Sequence, residues 1–256
     1  MSRRADLQRI ATALAAAGAV LERFVAGRTP HRTKAGGSPV SEADLAVDAV
    51  LRETLPSGAE GWLSEETVDD PRRLEAQRVW VVDPLDGTQE FVAGIPEWCV
   101  SVALVEHGRA VAGGILVPPA GLTVIGSIDT GVTLNGAPCG VRARAQLEGA
   151  EVLASRSETA RGEWERYRAA PFHVRPTGSV AHKLALVAAG RADATWSYVA
   201  KHEWDVAAGV ALVVAAGGEV FTLDGRPLRF NQPEPLVPGL CAAGRGLAAP
   251  IRAFLG

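Results

Sequence analysis

The sequence predicts an α+β molecule in two halves, residues 1–144 and 145–256, with the functional site in the cleft between them. Three observations lead there. Apolar residues near the N-terminus recur at three- and four-residue steps, the mark of a helix packed on one side. Strand-like apolar runs then dominate the middle of the chain, and from about Ala145 strand and helix signals alternate. An α+β half followed by an α/β half is expected to take its ligand where the two meet.

The elements follow in order. Leu7, Ile10, Leu14, Ala17, Leu21 and Phe24 share one face of a first helix reaching about Ala26. The polar, glycine-bearing stretch after it, through Lys34 and Gly36-Gly37-Ser38, predicts a mobile loop. A second helix opens at Ser41, a suitable N-cap. Asp44 stands three residues on in a capping-box position, and Val47, Val50, Leu51 and Leu55 form the apolar face. Gly61 to Ser64 reads as a short strand ending in Glu65-Glu66. Val79 to Val82 suits a strand buried on both faces, with Asp83 at its end and Pro84 stopping the ladder. WCVSVALVE and AVAGGILVP around His107-Gly108 predict a hairpin, LTVIGS a further strand, and TLNGAPC a turn. In the second half EVLAS, DATWSYV, GEVFTL and RPLRFN are expected strands. SVAHKLALVAAG and EWDVAAGVALVVAAGG are expected helices, closed by Gly190 and by Gly217-Gly218.

Composition narrows the function classes. A net charge of −3 over 256 residues gives no basic field for a nucleic acid polymer or an anionic membrane. The arginine pair Arg142 and Arg144 is too small to change that. Cys99, Cys139 and Cys241 are far apart with no CxxC spacing, so reduced thiols and a cytoplasmic location are expected. Asp6, Gln8, Arg9, Glu22 and Arg23 interrupt the N-terminal apolar run, which does not suit a signal peptide, and no run is long enough to span a bilayer.

The acidic residues carry the chemical signal. Asp44 falls in a first helical turn, Glu65 after one strand, Asp83 and Asp86 after another, and Asp205 near a helix start. Such positions point toward the crevice where α/β folds place ligands. Singly, each has an ordinary reading: a helix cap for Asp44, a solvated charge for Glu65 or Asp205. Together they form the oxygen-rich set that a hard divalent cation such as Mg²⁺ requires, and without a cation they would repel one another. The five histidines share no metal-binding spacing, and the six tryptophans read as packing residues.

SPVSEAD at 38–44, SEE at 64–66, DPLDGT at 83–88 and WDVAAG at 204–209 resemble, in order, the four signatures of the inositol monophosphatase superfamily. The likeness runs from about Ala11 to Asn231. It implies a layered αβαβα fold and a Mg²⁺-dependent, lithium-sensitive hydrolase of small phosphomonoesters, with a homodimer as the expected assembly. DPLDGTQEF, followed by AGIPEWCVSVAL and EWDVAAG, looks most like the branch acting on 3′-phosphoadenosine 5′-phosphate. Inositol, histidinol and other sugar or cyclitol phosphates are the alternatives. A catalytically silent phosphate-binding regulator is the competing class, although none of the five expected acids is missing.

Residue by residue, the resemblance implies that Glu65, Asp83 and the Leu85 carbonyl hold one Mg²⁺. Asp83, Asp86 and Asp205 would hold a second, and Glu66 would stand beside a third, weaker one. Gly87 and Thr88 would cradle the phosphate, while Thr88 and Asp44 orient and deprotonate the attacking water. Asp205 is expected to contact substrate, and so is Gly178-Ser179, which resembles the family's substrate-contacting pair; a plain N-cap for the helix that follows is its ordinary reading. Tyr198 stands seven residues before Asp205, where inositol-phosphate enzymes carry a glutamate. Its ring is expected to stack on a flat base, with Lys201 facing a second phosphate. Core packing for Tyr198 and a solvated Lys201 are the ordinary readings.

Overall fold

The computed structural model describes residues 2–256. The first helix, α1 (Arg3–Leu21), is capped by the Ser2 side chain and buries Ile10, Ala13, Leu14, Ala17 and Leu21. It stops short of the predicted Ala26. The backbone beyond it is committed elsewhere: Thr29 bonds Val25 through its hydroxyl, and Gly27 N donates to Phe91 O at 2.8 Å. Phe24 still packs on the core although it is no longer helical.

The expected loop contains two short strands. β1 (His31–Thr33) and β2 (Pro39–Ser41) pair antiparallel, and Lys34 N donates to Ser38 O across their turn. α2 (Glu42–Thr54) follows with the capping box the sequence predicts: Ser41 Oγ accepts from Ala43 N, and Asp44 accepts from Ser41 N.

A seven-stranded sheet comes next, its strands in sequence order. β3 (Gly61–Ser64) runs parallel to β4 (Arg78–Asp86), and a short helix, α3 (Thr88–Val92), separates β4 from β5 (Cys99–Glu106). β6 (Arg109–Val117), β7 (Leu122–Ser127), β8 (Gly131–Leu134) and β9 (Ala137–Cys139) complete an antiparallel meander. Its turns at His107-Gly108 and Asn135-Gly136 have positive φ at both residues, as two-residue hairpins require.

The second sheet has five strands in the order β11-β10-β12-β16-β14. β10 (Glu151–Ser155) leads into α4 (Arg156–Ala160), and β11 (His173–Thr177) into α5 (Val180–Ala188). β12 (Ala194–Ser197) is followed by β13 (Lys201–His202) and α6 (Glu203–Ala215). β14 (Gly218–Thr222), β15 (Leu236–Val237), β16 (Leu240–Gly244) and α7 (Arg245–Leu255) end the chain. β10 is parallel to both neighbours, whereas β16 is antiparallel to β12 and β14. RPLRFN is not a strand. Phe230 is buried in the core and its N–H donates to Gly108 O at 3.0 Å, so this segment is anchored to the first sheet. Leu240–Gly244 takes the expected place in the second sheet.

Side-chain alternation along the strands builds the layers. Trp80 and Val82 of β4 face a core made with α1 and α2, while Val79 and Val81 face one made with α5 and α6. Leu153 of β10 and Ala242 of β16 close that middle core from the second sheet. Val152, Trp196 and Cys241 pack on the opposite side with Leu247 and Ile251 of α7. The result is the layered αβαβα order. Gly113 of β6 is needed for its closeness: a Cβ there would lie 2.7 Å from Ala208 O of α6.

Candidate active site

Pro84 does not end β4. The strand continues to Asp86 with a register shift, so that Asp83 pairs with Ser101 and Asp86 with Cys99. The extra residues form a bulge, and Leu85 N donates to Asp83 Oδ1 at 2.9 Å. Gly87 follows with φ +98°, and a Cβ there would come within 2.9 Å of Glu97 O, so only glycine makes this corner without strain. Thr88 then opens α3.

The Thr88 hydroxyl lies 2.8 Å from Asp44 Oδ1 and 3.0 Å from Leu85 O. Asp44 is buried, and its Oδ2 accepts from Ser41 N at 2.8 Å and Ser41 Oγ at 2.5 Å. The capping box thereby fixes one carboxylate oxygen and leaves the other turned to Thr88.

Parallel pairing of β3 with β4 brings Glu65 beside Asp83, and α6 adds Asp205 in its first turn. One oxygen from each of these three carboxylates lies within 4.8 Å of the others. Burial raises the Asp83 pKa well above its ordinary value, and the charges of Glu65, Asp86 and Asp205 add to the rise. Asp205 is raised likewise, by burial and then by Asp86 and Glu65. Its Oδ2 accepts from His202 N at 3.0 Å. An oxygen-only cluster of this kind, with Asp83 buried and Glu65 and Asp205 half-buried, fits a hard cation, and the donor set contains no sulfur or imidazole that would suit a softer one.

Asp86 reaches across to the second half of the chain. Its Oδ2 accepts from Ser179 Oγ and from Ala181 N, both at 2.6 Å. Lys34, from the turn between β1 and β2, donates to Glu65 Oε1 at 2.8 Å and Glu66 Oε1 at 2.7 Å. Burial pushes Glu66 up to about 7, against the opposing pull of Lys34.

Both halves line one cleft of about 340 Å³. Glu65, Asp83, Leu85, Asp86, Gly87, Thr88, Gly178, Ser179, Lys201 and Asp205 all border it. Asp44 lies behind Thr88. Tyr198 is not in the cleft. It borders a separate surface cavity with Phe221 and Arg252, its hydroxyl shares a 2.6 Å hydrogen bond with Tyr167, and Arg166 lies 4.2 Å over its ring. Continuing the two-residue alternation of β12 puts it on the side of Trp196, which faces α7 rather than the cleft.

Sequence reasoning missed several groups. Arg156, just past the strand EVLAS, borders the cleft and donates to Glu97 Oε2 at 2.9 and 2.6 Å. The same oxygen accepts from Gly178 N at 2.6 Å, tying the two halves together. Lys183 is buried at the cleft wall with Nζ on Thr177 O and Ser179 O, and burial lowers its pKa to about 8. Its helical spacing four residues after Ser179 was the available signal, masked by the apolar residues around it. Glu90 also borders the cleft.

Layered fold and carboxylate cluster together fit a phosphatase, the class to which the matching family and relatives belong. The chain belongs to the inositol monophosphatase family, whose model matches residues 4–253. It is 35% identical over 217 residues to a Shigella flexneri protein named 3′(2′),5′-bisphosphate nucleotidase CysQ, covering 81% of this chain and 86% of that one. It is 36% identical over 196 residues to a Mycobacterium tuberculosis 3′-phosphoadenosine 5′-phosphate phosphatase, covering 74% and 70%. Among solved structures, a Thermotoga maritima IMPase superimposes with a TM-score of 0.82 at 26% identity, over 99% of this chain and 97% of that one. Among the described residues no helix is long and apolar enough to cross a membrane.

Proposed function

We propose that the chain is a Mg²⁺-dependent, lithium-sensitive phosphomonoesterase that removes the 3′-phosphate of 3′-phosphoadenosine 5′-phosphate. The observation that carries this reading is the convergence of Glu65, Asp83 and Asp205 beside the Asp44–Thr88 pair. In it, Glu65, Asp83 and the Leu85 carbonyl would hold one Mg²⁺, Asp83, Asp86 and Asp205 would hold a second, and Glu66 would border a third. Bound there, Mg²⁺ supplies charge neutralisation for the phosphoryl group and its leaving oxygen.

The chain's own groups handle the proton. Ser41 holds Asp44 Oδ2, so Oδ1 stays directed at the Thr88 hydroxyl. Thr88 accepts a hydrogen bond from the attacking water and passes its own proton toward Asp44, the general base. Backbone N–H groups of Gly87 and Thr88 receive the phosphate, with Gly178, Ser179 and Asp205 on the substrate side. Lys201, at the edge of the cleft, offers a point charge to the non-scissile phosphate. Tyr198 takes no part. The site is shared by residues 1–144 and 145–256, taken as two domains. Three cysteines free of disulfides suit a cytoplasmic enzyme, and a homodimer is the assembly the family likeness suggests.

The test is phosphate release with Mg²⁺ from 3′-phosphoadenosine 5′-phosphate, inositol 1-phosphate and histidinol phosphate. The nucleotide should be turned over at least about tenfold more efficiently than inositol 1-phosphate, and Lys201→Ala should erode that preference through KM. Lithium should inhibit. A better rate on inositol 1-phosphate removes the nucleotide assignment and leaves the phosphatase. Release from none of them favours a silent phosphate-binding protein.

A further inference from the structure

One carboxylate in the cleft belongs to neither the metal cluster nor the proton path. Glu90 lies two residues beyond Thr88 on α3 and borders the cleft half-buried. It packs directly on Gly178: a Cβ there would stand 2.6 Å from Glu90 Cγ and 2.7 Å from its Cδ and Oε1. Among the described residues no other side chain hydrogen-bonds or ion-pairs with it, and its one such partner is its own backbone N–H. Burial raises its pKa, Asp86 and Glu97 add to the rise, and Lys183 opposes it.

An acceptor group left this way in a partly desolvated wall requires donors from whatever fills the cleft. A phosphate cannot provide them, since it brings further acceptors and like charge. A sugar hydroxyl can, and a carboxylate offers it a charge-assisted bond. We propose that Glu90 is a specificity-determining residue that accepts a hydrogen bond from the substrate hydroxyl adjacent to the phosphate being removed. This inference rests on the proposed function. Its ligand is an ester of a polyol or ribose, with the 2′-hydroxyl as the group recognised in a nucleotide 3′-phosphate. Gly178 is part of the device, because any side chain there displaces the Glu90 carboxylate.

The experiment compares kcat/KM for 3′-phosphoadenosine 5′-phosphate and its 2′-deoxy analogue. A site built around a hydroxyl rejects the molecule lacking it, so the wild type should prefer the ribonucleotide by about tenfold or more. In Glu90→Ala that ratio should fall below about twofold, with the loss appearing in KM, because the bond forms away from the reacting atoms. Gly178→Ala should reproduce the collapse, while Glu90→Gln, which keeps an acceptor, should retain part of the preference. Equal use of both nucleotides by the wild type overturns the proposal and leaves the phosphatase reading standing. A preference that persists in Glu90→Ala does the same. Release from neither nucleotide removes the proposed function and this inference with it.

Discussion

Asp83 is the side chain on which the site depends most, since it stands at the centre of the acidic cluster and is almost fully buried. Asp83→Asn keeps its shape and removes its charge. Turnover should fall by about a thousandfold or more, equivalent to about 4 kcal/mol of transition-state stabilisation. A correctly folded variant with a tenth of wild-type activity would contradict the assignment. Stability should move the other way. A carboxyl whose pKa is raised on folding opposes the folded state once ionised. That opposition is absent below the unfolded value of 3.8 and complete above the folded one. Metal-free wild type should therefore lose stability as pH climbs through that interval. In chelator at neutral pH, thermal melts should show Asp83→Asn as the more stable protein, with the difference vanishing toward the unfolded value. The acids were legible individually because Asp, Glu and their neighbours form recognisable short motifs. Tyr198 was not, because a one-residue difference in which side a strand presents decides cleft or surface.

At the scale of elements, the start of α2 shows one local motif serving two ends. The Ser41 box satisfies the helix terminus and also fixes the inner oxygen of Asp44. Ser41→Ala should cost about 1 kcal/mol in chemical denaturation, the usual loss for a cap. It should also lower kcat with Mg²⁺ affinity by calorimetry unchanged, since Asp44 touches the proton path and not the cluster. Lost metal affinity would place Asp44 among the ligands instead. This cap was readable because Ser and Asp three apart before an apolar helical face have a local cause. The β1–β2 hairpin was hidden because its residues are exposed and polar on β1 and carry no apolar alternation. β16 was hidden for the opposite reason. Its residues, Leu-Cys-Ala-Ala-Gly, are buried throughout, and no period betrays a strand shielded on both faces. Pro84 misled in part: it breaks regular pairing, yet as a bulge it lets the strand resume and brings Asp83 and Asp86 to one cleft.

For the whole molecule, the site draws on distant parts of the chain. Glu65 and Asp83 come from the first sheet, Asp205 from α6, and Asp86 is bonded to the start of α5. A ligand that binds only this assembled arrangement stabilises the fold by mass action, about 2.7 kcal/mol at a hundred times its Kd. Mg²⁺ should thus raise the melting temperature in a concentration-dependent way. The rise should be absent in Asp83→Asn and reduced in Asp205→Asn, while an equal rise in both variants would place Mg²⁺ elsewhere. The alternation of helices and strands was readable along the chain, and so was the ordered motif set. Which strands neighbour which was not, because pairing across the second sheet depends on contacts between residues far apart in sequence.

The closeness of Gly113 to Ala208 has a consequence for how such an enzyme can be adjusted. Ala208 lies one turn beyond Asp205, and no side chain separates α6 from β6 at that point. The seam acts as a shim of zero thickness beneath the helix that delivers a ligand carboxylate. Thickening it by a single methyl group lifts α6 from below, and a displacement of about an ångström suffices to change a rate by about two orders of magnitude. Substitution at Gly113 therefore retunes the rate at the cleft from a residue that touches nothing bound in it.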